Sequence, residues 1–179
     1  PVIAKIPKQP KGAKWAPKPR ITDRLNHEAD GRGYIPTGFS HLFVMPATGG
    51  AVRQVTSGDF QHRGSISWAK DESTLYFSSN RTENWEYDFR NSEIYSVNLN
   101  SGVITPLSDR NGPDGSPTVS PDGNTIAFLG FDDKREAYQN TLLYFMDTDG
   151  GNIRAMSTNL DFSISNIQWE PNNKGVYFN

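Results

Sequence analysis

The 179-residue chain contains no cysteine. That excludes a disulfide framework, thiolate metal sites and a thiol nucleophile, and it leaves the redox compartment open. An excess of positive charge is also missing. Eighteen Lys and Arg against twenty Asp and Glu leave a formal charge of −2. The chain therefore lacks the basic surplus of an electrostatic nucleic-acid binder and the polybasic anchor of a protein held on anionic lipid. No apolar run approaches the roughly 20 residues of a helical membrane span. Neither nucleic acid nor membrane is expected as a partner. No signal peptide is visible. The chain opens at Pro1 and stops at Asn179 directly after an apolar run, so both ends read as cuts in a longer chain.

Motifs that carry chemistry are equally scarce. The nearest approach to the Gly-x-Ser-x-Gly nucleophile elbow is Gly38-Phe39-Ser40-His41-Leu42, which lacks the second glycine. Gly31-Arg32-Gly33 runs on to Pro36 and is no dinucleotide fingerprint. The three histidines, His27, His41 and His62, lie far apart in sequence and read as surface or structural. Nothing in their spacing builds a metal site with Asp30 or Asp59. Asp132-Asp133 lacks the ligand alternation of a calcium loop and reads as solvated. Accordingly no catalytic, cofactor-binding or metal-ligating residue is assigned, and no cofactor is expected.

What the chain does have is turns and rings: 16 glycines, 12 prolines and 12% aromatics, with only 35% hydrophobic residues. This balance suits many short strands joined by tight turns. A repeat organises them. Three twelve-residue segments, at 66–77, 117–128 and 167–178, align without gaps at a period of 50 to 51 residues. Each reads as strand, turn, strand. The middle copy carries Ser120-Pro121-Asp122-Gly123. Pro presets φ near −65°, Asp bonds its own backbone, and Gly accepts positive φ. Asp71 and Asn172 hold the corresponding turn position in the other copies. Beyond each turn the apolar residues alternate: Leu75 and Phe77, Ile126 and Phe128, Val176 and Phe178. That is the pattern of a strand with a buried face.

Two further strands follow each full hairpin, at 93–98 and 103–107, then at 141–147 and 152–156. Four-stranded antiparallel units at this period predict all-β propeller blades, about three and a half of them. The expected boundaries are 1–20, a Pro- and Lys-rich arm or outer strand of a preceding blade; 21–63, a short blade; 64–115 and 116–163, full blades; and 164–179, the first two strands of another. Such an open array predicts self-association of the isolated chain through unpaired strand edges. The best helical stretch, 132–139, lies in an inter-strand loop. The loop at 78–92 is long for a hairpin and carries Arg81, Trp85, Tyr87 and Phe89. These four are the candidate contacts with a partner or substrate.

The middle repeat, with Leu142, Tyr144, Met146 and Asp147 followed by Asp149-Gly150-Gly151, resembles the propeller repeats of TolB-type proteins and of the prolyl oligopeptidase superfamily of serine peptidases. The stretches Pro19-Arg20-Ile21-Thr22-Asp23-Arg24-Leu25, Ala29-Asp30-Gly31-Arg32-Gly33-Tyr34, His41-Leu42-Phe43-Val44 and Arg53-Gln54-Val55-Thr56-Ser57-Gly58-Asp59 resemble its acylaminoacyl-peptidase branch. The likeness runs from Trp15 onward. Ala69-Lys70-Asp71-Glu72 and Glu170-Pro171-Asn172-Asn173 stray mildly from the Ser-Pro-Asp-Gly form. The resemblance implies a non-catalytic propeller that limits which peptides reach a C-terminal α/β-hydrolase domain holding the whole catalytic triad. The implied partners are that domain and peptide substrates. Related peptidases occur in the cytoplasm and exported, so the compartment stays open. The alternative is a TolB-like binding or scaffold propeller without activity. A metal-dependent propeller enzyme such as a lactonase would require carboxylates around a central channel.

Overall fold

The computed structural model describes residues 8–17 and 19–179. They contain fourteen strands and no α-helix. The chain divides into two compact units, one ending at Ile35 and the other spanning Pro36–Asn179.

In the first unit, β1 (Glu28–Ala29) and β2 (Gly33–Tyr34) form a hairpin, with Glu28 opposite Tyr34. Gly31, at φ 73°, lies in its turn. The Arg20 guanidinium stacks 4.8 Å from the centre of the Tyr34 ring. Residues 8–17 carry no strand. The rest of the proline-rich arm, 1–7 and Lys18, lies outside the described residues.

The second unit opens with the pair β3 (Phe43–Val44) and β4 (Arg53–Gln54). Over 21–63 the described strands are short and hydrogen-bond as two pairs, β1 with β2 and β3 with β4. Two full meanders follow. The first is β5 (His62–Trp68), β6 (Thr74–Ser79), β7 (Glu93–Asn98) and β8 (Ile104–Pro106). The second is β9 (Asp114–Val119), β10 (Thr125–Gly130), β11 (Leu142–Asp147) and β12 (Arg154–Ala155). Each is an antiparallel sheet in chain order. A last pair, β13 (Gln168–Trp169) and β14 (Val176–Tyr177), follows at the next repeat.

The alternation read from sequence has a second half. Leu75 and Phe77 of β6 turn to one side of their sheet, where Leu42, Val44 and Val55 pack on them. Tyr76, between them, turns to the other side. There it joins Ile94, Leu107, Ile126, Phe128, Tyr144 and Met146 in one cluster. In turn, Ala127 and Leu129 of β10 pack with Leu143, Ile164 and Trp169. The middle strands are therefore buried on both faces, because each sheet stacks on the next. Each Leu, Ile, Phe or Met side chain buried this way contributes roughly 1.5–3 kcal/mol. Bonds one repeat apart tie the sheets together. Val119 N donates to Ser67 Oγ at 3.0 Å, and the Trp169 indole N–H donates to the Thr118 carbonyl at 2.8 Å.

Candidate functional site at the long-loop end of the blades

The meander sorts its connections onto two ends. At one end are tight turns, and these hold the repeated motif residues. Ser120 Oγ lies 2.6 Å from Asp122 Oδ1, and the same carboxylate accepts the Asn124 N–H at 3.1 Å. Asp71 accepts the Ser73 N–H at 3.0 Å and Asn172 accepts the Lys174 N–H at 2.8 Å, the same bond in all three copies. Pro121 and Gly123 complete the middle turn. Gly123 sits at φ 84°, and a Cβ there would meet Lys70 at 2.8 Å. These residues shape turns, and no chemistry is implied by their partners.

At the other end lie the loops at 80–92 and 131–141 and the chain segments entering β5 and β9. The loop at 80–92 is fixed by its own bonds. Asn80 donates to the Asp88 carbonyl at 2.6 Å, and its Oδ1 accepts from Thr82 N and Oγ1. Trp85 packs edge-on against Phe39 at 6.1 Å. Tyr87 and Phe89 are 76% and 74% exposed. They line an open cleft of about 560 Å³, opposite Asp133, Arg135, Glu136 and Ala137. The stretch 132–139 is a loop. Gln139 holds it by accepting from Lys134 N at 2.9 Å and donating to the Asp132 carbonyl at 2.6 Å. The structure brings Tyr87 and Phe89 to this cleft, while Arg81 and Trp85 turn to other partners.

Arg81 leaves β6 at the same end and is half-buried. Its Nη1 lies 2.7 Å from His62 Nε2, and His62 Nδ1 lies 3.1 Å from the Ser40 carbonyl. A carbonyl only accepts, so Nδ1 carries the proton and Nε2 accepts from the arginine. His62 is thereby held neutral. Burial depresses its pKa, and the nearby Arg81 and His41 push the same way. His41 packs 5.3 Å from His62, ring to ring. The guanidinium lies over Phe60 at 4.6 Å and Tyr95 at 5.8 Å.

One sheet along, a denser polar cluster occupies the same end. Arg110 pairs with Asp114 at 2.7 Å and with Asp132 at 2.6 Å, and its guanidinium lies 3.7 Å from the Tyr144 ring centre. Glu93 accepts from Ser108 Oγ and from Arg110 N. Burial pushes the Glu93 carboxyl up to about 7, although the Ser108 hydroxyl pulls it down. Asp114, fully buried, is pushed up to about 6 by burial despite the arginine beside it. Its Oδ2 makes no hydrogen bond, with Ser108 and Glu93 close by. A proton kept on Glu93 relieves the repulsion between the two acids. This cluster was not legible in the sequence because Ser108, Arg110 and Asp114 of one short segment form no motif, and Glu93 and Asp132 join them from elsewhere in the chain. Among the described residues no group of three His, Asp or Glu is placed to hold a metal.

The family model described as Dipeptidyl peptidase IV (DPP IV) N-terminal region matches residues 30–128. Dipeptidyl-peptidase 5 of Porphyromonas gingivalis is 33% identical over 117 residues, 63% of this chain and 17% of that protein. The uncharacterized peptidase YuxL of Bacillus subtilis is 31% identical over 93 residues, 52% of this chain and 13% of the relative. The chain thus spans well under a quarter of the length of either. Among solved structures, a TolB described as putative, from Agrobacterium tumefaciens, superposes with a TM-score of 0.61 at 24% identity, covering 79% of this chain and 46% of the other. A puromycin hydrolase superposes with 0.57 at 16% identity, covering 74% and 22%. At these identities the likeness shows the fold: an all-β partial propeller with TolB-like repeats.

Proposed function

The chain belongs to the dipeptidyl peptidase IV N-terminal region family, and from that premise we propose that it is the propeller segment of a serine peptidase, gating and positioning peptide substrates for a hydrolase domain. The single observation behind the gating role is the long-loop end. Two built loops there present exposed Tyr87 and Phe89 beside an open cleft of mixed charge. Rings held out on a fixed loop offer contact area to an extended peptide or to a neighbouring domain at little entropic cost. The chemistry would reside in the hydrolase domain, and this segment would act by admitting or refusing chains.

The test uses the protein encoded by the complete reading frame. Its kcat/KM is compared on tripeptide and on 25-residue substrates, alone and as the Y87A/F89A double variant. The wild type should favour the short substrate, and the double variant should change that ratio about 5- to 30-fold, since each of the two lost contacts is worth up to about 1 kcal/mol. The melting temperature should not move, because both rings are exposed. An unchanged ratio overturns gating by this loop. Absence of any hydrolysis, with no hydrolase domain in the complete protein, would instead favour a TolB-like binding propeller.

As part of the same proposal, the isolated 179 residues self-associate. The outer strands β8 and β12 are poor edges, being short and carrying Pro106 and Arg154. The free edge of β14, with exposed Tyr177, is the better acceptor.

A further inference from the structure

Among the described residues Arg81 has no counter-ion. Among the described residues the ion pairs all belong to Arg110, and no carboxylate lies within pairing distance of Arg81. Its one hydrogen bond goes to a neutral imidazole. The buried unpartnered side-chain atoms of the described residues are His41 Nδ1, Glu86 Oε1 and Asp114 Oδ2. No nitrogen of Arg81 is among them, so its unbonded N–H groups reach solvent. The side chain is also held in place. His62 fixes one corner and is itself fixed by Ser40, while the Phe60 and Tyr95 rings lie under the guanidinium plane.

A neighbour supplies the contrast. His62 opens β5 opposite Ser79, and Asp114 opens β9 opposite Gly130, so the two side chains hold corresponding places in adjacent blades. Both are buried and both hold an arginine over a tyrosine ring. Arg110 is neutralised by two carboxylates inside the chain. Arg81 meets an imidazole that adds no charge and holds it with its remaining N–H groups open to solvent. A planar guanidinium held this way, partly out of water, is preorganised for a carboxylate, which it can take through two parallel N–H···O bonds.

We propose that Arg81, propped by His62, Phe60 and Tyr95, anchors a carboxylate of a peptide bound at the long-loop end of the propeller. The assignment of the ligand as a peptide rests on the peptidase reading above; the demand for a carboxylate rests on the geometry alone. A peptide carries that group at its C-terminus or on an Asp or Glu side chain.

The experiment measures equilibrium binding of fluorescent hexapeptides to the full-length protein after treatment with a fluorophosphonate to block any reactive serine. Four peptides of one sequence are compared: free or amidated at the C-terminus, with Asp or Asn at an internal position. Removing the recognised carboxylate should weaken binding about 10- to 100-fold, the range of a charge-assisted bond. The end of the peptide that responds identifies the source. R81M should erase that preference, bringing the four peptides to one affinity. R81K should retain part of it, because an ammonium keeps the charge without the fork. K174M, in the turn at the opposite end, should leave the preference intact.

Equal affinity of the wild type for all four peptides overturns the proposal. So does an R81M variant that keeps the preference, or one that loses affinity for every peptide alike. The comparison among peptides needs no variant, so it decides even if R81M fails to fold. Because binding is read without turnover, a carboxylate preference in a protein that hydrolyses nothing would sink the peptidase reading and leave Arg81 standing. Hydrolysis without the preference would do the reverse.

Discussion

The two complete blades differ at one end far more than in their cores. Both stack a phenylalanine on a tyrosine between their middle strands, Phe77 on Tyr95 at 5.8 Å and Phe128 on Tyr144 at 5.3 Å. Both set a buried polar residue at the start of the inner strand. In one that residue is His62 and its arginine is left unneutralised. In the other it is Asp114, within a cluster of two arginine-bound carboxylates and a buried glutamate. One scaffold thus serves two purposes. An arginine with acids inside the chain is a structural clamp, and an arginine on an imidazole is available to something else.

The largest expected effect would break that distinction outright. R110M removes the cation from a fully buried carboxylate. It should cost about 3–5 kcal/mol in chemical denaturation above pH 6, and less below, where Asp114 can take a proton. R81M leaves only a neutral imidazole behind and should cost about 1–2 kcal/mol, the worth of its hydrogen bond and ring contacts. Equal costs would mean that the two arginines play the same structural part.

A smaller effect sharpens the comparison through pH. Glu93 has a folded pKa raised to about 7 from an ordinary 4.5. The folded state therefore binds its proton more tightly than the unfolded chain. That contribution is complete below about pH 4.5 and is lost as pH rises through 7. Asp114, raised to about 6, adds to the same slope, so stability should fall by about 2–4 kcal/mol between pH 5 and pH 8, and E93Q should remove the larger part of that fall. A slope unchanged in E93Q would place the responsible group elsewhere.

The smallest effect concerns the opposite end. The equivalent turn position is left-handed in all three copies: Glu72 at φ 58°, Gly123 at φ 84° and Asn173 at φ 62°. Only the middle copy has the residue that takes this conformation freely. E72G should therefore stabilise the first blade by about 1 kcal/mol, seen as a raised melting temperature. A loss of stability would mean that the Glu72 side chain contributes more than its backbone strain costs.

These contrasts separate what was legible in the sequence from what was not. The turns were legible because their physics is local. Pro121 sets one angle, Asp122 bonds the N–H two residues on, and Gly123 supplies the positive φ, all within four residues. The strands were legible because alternation has a fixed period of two, and the repeat fixed their order. The exposed pair Tyr87 and Phe89 was found because a long aromatic loop departs from that regularity. Over 21–63 the repeat is least legible, because the strands there are two residues long and pair in twos. Short strands with few apolar residues carry a weak pattern.

The sequence by itself determined the repeat, the all-β class and the residues of each turn, since each depends on neighbours along the chain. Tertiary structure alone decided which charges meet. Arg110 reaches Asp132 across 22 residues and Arg81 reaches His62 across 19. Nothing in either segment announces its partner, because an ion pair or a missing counter-ion belongs to the space between stacked sheets.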